Sequence, residues 1–143
     1  MIRRARVADA AAIARVHVAS SQFAYAEILP GERIAAMSVE EKRAEWQELL
    51  DDGGVVWVAE VEGSVVGFTS LEREHLTSLY VDPIAQGAGV GTALLAEAQR
   101  AGARTLDVLD DSGQARMFYE GRGWTDAGES ALHWGLPTRR YVR

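Results

Sequence analysis

The stretch HLTSLYVDPIAQGAGVGTALLAEA, His75 to Ala98, changes character twice. His75 to Val81 is rich in Leu, Tyr and Val and reads as a strand. Asp82-Pro83 stops it, because proline has no N–H to give a ladder. Ala93 to Ala98 is strong helix-forming sequence. Between the two lies Gln86-Gly87-Ala88-Gly89-Val90-Gly91, with little side chain. A glycine-rich loop leading into a helix start leaves backbone N–H groups free and approachable. With the helix dipole behind them they form a seat for an anion, and a pyrophosphate suits it. The alternative is a glycine-rich helix start that holds no ligand, and the loop alone leaves both readings open.

Two familiar phosphate-binding patterns fail here. A Walker loop ends in Gly-Lys-Ser/Thr, whereas Gly91-Thr92 has no lysine between. A dinucleotide fingerprint is G-x-G-x-x-G, whereas Gly87-x-Gly89-x-Gly91 has another third spacing and Thr92 stands in the last glycine's place. A third pattern, Gln/Arg-x-x-Gly-x-Gly, is met by Gln86, Gly89 and Gly91.

The rest of the chain bounds the possibilities. Its 143 residues suffice for one domain with a core. Hydrophobic content of 48% and charged content of 25% are ordinary for a globular protein. A net charge of −6 argues against nucleic acid as a partner. There is no cysteine, so disulfides, thiolate metal sites and a cysteine acyl-enzyme are excluded. The three histidines are far apart and lack metal-ligand spacing. No run of about 18 apolar residues reads as a membrane span. The basic start, Met1 to Arg6, has no apolar stretch after it, so a cytoplasmic enzyme or binding domain is expected.

Taken in order, Ile2 to Val7 reads as a strand. Asp9 opens a helix over Ala10 to Ser20, with Ile13 and Val16 on one apolar face and His17 beside them. Ser20 to Pro30 breaks the pattern; Phe23 and Tyr25 there line a pocket or fill the core. Glu32 to Met37 forms a short helix. Ser38 caps the next, with Glu41 completing a capping box, and that helix buries Trp46, Leu49 and Leu50 before ending at Asp51-Asp52-Gly53-Gly54. Val55 to Ala59 and Val65 to Thr69 are strands around a Glu62-Gly63 turn. After the glycine loop, Gly91 to Ala101 is a helix and Arg104 to Leu109 a strand. This βαβ crossover makes the strands at His75 and Arg104 parallel neighbours. Gln114 to Gly121 is a short helix. Trp124 to His133 and Leu136 to Val142 form a last hairpin, where Pro137 makes the final strand an edge or delays its start. The whole is one mixed sheet with helices on both faces.

With the loop, a second stretch carries a family resemblance. Gln86-x-x-Gly89-x-Gly91 resembles the acetyl-coenzyme A loop of the GNAT N-acetyltransferases. Ala115-Arg116-Met117-Phe118-Tyr119-Glu120-Gly121-Arg122-Gly123-Trp124 is similar to that family's A-x-x-F-Y-E-x-x-G-F/W motif, with Ser112 where asparagine is usual. His17 to Pro30 resembles the HV-x-SW-x-x-x-Y-x-x-x-LP stretch of small bacterial members, with Ser21 in place of tryptophan. The resemblance implies a single domain over residues 1–143 of α/β class. Its mixed sheet of about seven strands is flanked by about four to five helices. It implies acetyl-CoA as co-substrate and transfer of an acetyl group to a primary amine of a small molecule or peptide, by direct attack in a ternary complex. The alternatives are a non-catalytic coenzyme A-binding regulatory module of the same fold, or a domain binding ATP or NAD.

The resemblance also implies roles for residues. Leu79, Tyr80 and Val81 match the place where the central strand bulges and splays from the next parallel strand, opening a gap in which the pantetheine arm pairs like an added strand. The Leu79 N–H then faces the thioester oxygen. Gln86, Gly87, Ala88, Gly89, Val90, Gly91 and Thr92 hold the diphosphate, and Ser112 and Tyr119 complete the cofactor set. Gln86 and Ala88 are neutral where relatives often carry Arg or Lys, so Arg116 is a candidate to meet the phosphates. Tyr119 is the expected acid for the leaving sulfur. His75, in a slot where one branch has glutamate, is the expected base, with Glu72, Glu74 and His133 as further candidates. The acceptor pocket is expected between Ser21–Leu29 and the last hairpin, and a homodimer is expected through the carboxy-terminal edge strand.

Overall fold

The computed structural model describes residues 1–143. Its strands are β1 (Ile2–Arg4), β2 (Val55–Val61), β3 (Ser64–Glu72), β4 (His75–Val81), β5 (Thr105–Leu109), β6 (Thr125–Glu129) and β7 (Thr138–Val142). Its helices are α1 (Ala10–Ala24), α2 (Gly31–Ala35), α3 (Val39–Asp51), α4 (Val90–Arg100) and α5 (Gly113–Glu120). One seven-stranded sheet runs β1-β2-β3-β4-β5-β7-β6. All pairings are antiparallel except β4 with β5, the pair that the βαβ crossover demands. No helix is long and apolar enough to cross a membrane.

Alternation along the strands splits the core in two. Val56, Val58, Val65 and Phe68 face α1 and α3, where Ile13, Ala14, Val16 and Trp46 bury against them. Trp57, Leu71, Leu76 and Leu106 face the other way, with Leu95 and Ala98 of α4 and Tyr119 of α5. Arg3 ties β1 to both neighbours: its guanidinium donates twice to Asp9 at 2.9 Å and once to Glu60 at 2.8 Å.

The elements differ from the sequence reading at several points, among them β6, which ends at Glu129 rather than His133. The first strand ends at Arg4, and α1 runs past Ser20 to Ala24, carrying Phe23, with Tyr25 as the residue that caps its end. Phe23 is 57% exposed and fills no core. Ser38 caps α3 as expected, its hydroxyl accepting from the Glu41 N–H at 3.2 Å, but Leu49 points to solvent. The last strand is no edge: β7 lies between β5 and β6. Pro137 delays the strand to Thr138, so its missing N–H is never asked for, while its carbonyl accepts from Asp110 at 3.0 Å. The carboxy-terminal edge is therefore β6, interrupted by a register shift between Asp126 and Glu129 that blunts it for pairing with another chain.

Gly67 shows how tightly α4 sits on the sheet. A Cβ there lies 3.0 Å from Leu94 Cδ1 and 3.1 Å from the Tyr80 carbonyl oxygen. The side chain can yield but the backbone oxygen cannot. Gly67→Ala is expected to lower stability by about 1–2 kcal/mol, read from the urea midpoint.

Candidate functional site

The site is set by a one-residue fault in the centre of the sheet. Down β3 and β4 the partners are Thr69 with Leu79 and Ser70 with Ser78, then Leu71 with Leu76. Thr77 has no partner, so β4 carries a bulge there. A bulge bends its strand and increases the local twist. On its other side β4 pairs with β5 only at His75–Thr105 and Leu76–Leu106. Beyond the bulge the parallel strands part, while β5 continues to Leu109 along β7. A gap thus opens between Thr77–Val81 and β5.

The ladder fixes which backbone groups face this gap. Asp82 N–H donates to the Val66 carbonyl at 2.8 Å, which makes Val66–Asp82 a hydrogen-bonded pair. Pairs alternate along an antiparallel ladder, so Thr69–Leu79 and Gly67–Val81 are non-bonded pairs. The N–H and C=O of Leu79 and Val81 therefore point away from β3, into the gap. The Gln86 side chain donates weakly to the Val81 carbonyl at 3.4 Å. The bulge also sets the faces: Leu76 and Leu79 both pack towards α4, while Tyr80 packs towards α1.

The gap leads to the glycine loop. Asp82 caps the 3-10 turn Pro83–Ala85 through Ile84 N–H at 3.1 Å. Gly87 (φ +86°) and Gly89 (φ +80°) then take left-handed conformations, and α4 starts at Val90. None of the backbone N–H groups from Gly87 through Ala88, Gly89, Val90 and Gly91 to Thr92 meets an acceptor in the protein; the first intrahelical bond is Ala93 N–H to the Gly89 carbonyl at 3.0 Å. This run of free donors at a helix start fits an anion of diphosphate size.

The cation beside the loop is Arg122, which the sequence reading passed over. It sits just past α5, donates to Thr92 Oγ1 at 3.1 Å and to the Phe118 carbonyl at 3.0 Å, and lies 4.0 Å over the Phe118 ring. Arg116 is turned the other way, onto Tyr141, the Asp110 carbonyl and Asp126. The signal for Arg122 was present in Gly121-Arg122-Gly123, a cation in a short helix exit, but only the tertiary contact with Thr92 gives it meaning. Ser112 stands at the start of α5 without capping it by its side chain.

Tyr119 is buried against Trp124 and Phe118, with ring centroids at 6.1 and 5.1 Å. Its hydroxyl has no hydrogen-bond partner in the protein. Burial pushes the phenol well up, and the nearby Tyr80 adds to the effect, so the proton stays on at neutral pH. His75 is at the far end of β4 from the loop, with Nδ1 2.7 Å from Thr105 Oγ1 and Nε2 3.4 Å from Asp107. It stands where β4 and β5 are still paired, roughly 13 Å along the strand from Leu79. Glu72 and Glu74 are exposed at the same end.

His133 lies elsewhere, in the connection between β6 and β7, stacked on Trp134 at 4.6 Å. Across from it, Tyr25 O–H and Tyr80 O–H are 3.3 Å apart, and Trp134 meets the Tyr25 ring edge-on at 5.4 Å. The segment Ser21–Leu29 and the last hairpin therefore do come together, over β4. His17 packs beneath: its Nδ1 accepts the Trp46 indole N–H at 3.0 Å, and its ring stacks on Tyr80 at 4.9 Å. Burial, and next the charge of Lys42, bring His17 down to about 4, so it is neutral at pH 7 with the proton on Nε2.

Comparison with known proteins bears on the family and the fold. A family model described as an acetyltransferase (GNAT) domain matches residues 11–141. The peptidyl-lysine N-acetyltransferase YjaB of Salmonella typhimurium is 36% identical over 95 residues, which take in 63% of this chain and 66% of that protein. A crystal structure of a GCN5-related N-acetyltransferase from Rhodopseudomonas palustris superposes with a TM-score of 0.78 at 28% identity, covering 100% of this chain and 95% of that one. A PaiA N-acetyltransferase from Thermoplasma acidophilum, solved in complex with coenzyme A, shares the fold with a TM-score of 0.75 at 19% identity, over 100% and 98% of the two chains.

Proposed function

The chain belongs to the GNAT acetyltransferase family, and on that premise we propose that it transfers an acetyl group from acetyl-CoA to a primary amine of a small molecule or peptide, by direct attack within a ternary complex. One observation carries the reading: the pairing of β4 with β5 stops at Leu76, and the gap it leaves runs into a loop of unpartnered amides. An extended arm laid in that gap takes the place of a missing strand. The amides from Gly87 to Thr92 then hold its diphosphate end, and Arg122 supplies the charge that the neutral Gln86 and Ala88 lack.

Acetyl-CoA brings the acetyl group as a thioester. The rest is the work of this chain's residues. The Leu79 N–H, turned into the gap, donates to the carbonyl oxygen as negative charge gathers there; one such donor is worth about 3 kcal/mol where it has been removed elsewhere. Tyr119 keeps its proton in its buried site and gives it to the departing sulfur. The amine sheds its proton to solvent, because His75, held by Thr105 and Asp107, stands roughly 13 Å along the strand from Leu79, beyond the reach of one water. The amine nitrogen gains an acetyl group and loses one proton; the sulfur leaves with one. Holding the reactants together does more than the proton transfers.

The test is calorimetric titration of the protein with acetyl-CoA, followed by thiol release with a panel of amines. Without cysteine in the chain, a thiol reagent has no protein background. Binding with turnover supports the enzyme; binding with no turnover of any amine supports a regulatory module instead; binding of ATP or NAD in place of coenzyme A overturns both. Arg122→Ala is expected to weaken coenzyme A about tenfold, roughly 1.4 kcal/mol, while leaving thermal stability almost unchanged because the side chain is exposed. Arg122→Lys is expected to keep part of the affinity.

A further inference from the structure

We infer that the acceptor is a primary amine carried on an aromatic or apolar body with no second cationic group, and that Trp134 selects it. This rests on the acetyltransferase reading above and narrows it to a substrate class.

The first observation is a stripe on α1. His17, Ser21 and Tyr25 stand four residues apart and so share one face of the helix. Two of the three are seen to meet Tyr80 of β4, by stacking and by a hydroxyl contact. Between them, Ser21 is 2% exposed, and its Oγ is the buried side-chain polar atom left without a partner. A hydroxyl kept from water and unpaired costs stability, so Ser21 marks a face that the protein's own groups do not fully satisfy.

The second is the backbone at Trp134. Trp134 (φ +53°) and Gly135 (φ +76°) form a two-residue turn, closed by His133 N–H to the Leu136 carbonyl and the reverse bond, both 2.9 Å. Such turns favour asparagine or glycine at the first place. A tryptophan held left-handed is strained, and strain of this sort persists where the surroundings hold it. The turn sets the indole edge-on against Tyr25, and Arg33 donates to the Trp134 carbonyl at 3.5 Å. Trp134 keeps 37% of its surface exposed and Leu132, two residues before it, 69%.

The third is charge. His17, Ser21, Tyr25, Tyr80, His133 and Trp134 include no carboxylate. The first charges felt by His17 are Lys42 and Glu45, which pair with each other at 3.2 Å, and Arg33 borders the turn. A polyamine's second ammonium group finds no carboxylate among these six residues, and Glu45 is already engaged by Lys42. An aromatic or alkyl body finds rings to stack on.

Thiol release with acetyl-CoA tests this, using phenethylamine, hexylamine, spermidine and Nα-acetyl-lysine amide as acceptors. The expected result is a kcat/KM for phenethylamine at least ten times that for spermidine. Trp134→Ala is expected to raise the KM for phenethylamine about tenfold with the KM for acetyl-CoA unchanged, and Trp134→Phe to keep most of the preference. Spermidine as the better acceptor, or a Trp134→Ala protein with an unaltered phenethylamine KM, overturns the assignment of substrate class alone. A protein that binds acetyl-CoA and releases thiol with no amine overturns the acetyltransferase reading beneath it.

Discussion

Tyr119→Phe is expected to lower kcat about a hundredfold while acetyl-CoA binds as before. The ring is buried between Phe118 and Trp124, and phenylalanine fills the same space. The hydroxyl makes no hydrogen bond within the protein, so its loss leaves no partner unpaired and the melting temperature should hold. What goes is the proton. Burial keeps that proton on the phenol at neutral pH, and a positioned acid contributes typically 10²–10⁴-fold. The effect should depend on the leaving group. A thioester of a more acidic thiol needs less help to depart, so the gap between wild type and variant is expected to narrow with it. Unchanged turnover with acetyl-CoA would show that Tyr119 only packs.

Gly89→Val is expected to weaken coenzyme A at least about 25-fold, some 2 kcal/mol, measured by calorimetry. Gly89 is the residue before the first turn of α4, at φ +80°. A β-branched residue resists that conformation and shifts the loop towards one that turns its amides away. Strain alone is separated from loss of the anion seat by a matched variant. Gly53, after α3, has φ +83° and open space around its Cα, and no role in the cleft. Gly53→Val should cost similar stability and leave affinity intact. Equal affinity in both variants would mean that the diphosphate is not held at this loop.

Much of the frame was legible in the residues because it is local. Proline at 83 ends β4 and glycines at 87 and 89 turn the chain for reasons confined to a few bonds, so strand, loop and helix could be read in order. Ser38 caps α3 on the same footing. The motif around Tyr119 lay on a helix as expected. Pro137 leaves an edge strand and a late start both open, and pairing decides between them: the strand begins one residue later and lies between β5 and β6.

From the sequence alone come the class of the sheet, the glycine turn before α4 and the family of the chain, since periodicity, turn residues and motif spacing are written in consecutive positions. The tertiary structure alone decided where β4 leaves β5. Strict alternation puts Leu76 and Leu79 on opposite faces, and the unpaired Thr77 brings them to the same one. It also chose Arg122 over Arg116 as the neighbour of the loop, and set Trp134 against Tyr25. These outcomes depend on which strand lies beside which and on side chains meeting across long stretches of chain. Packing fixes such contacts, and no local pattern encodes them.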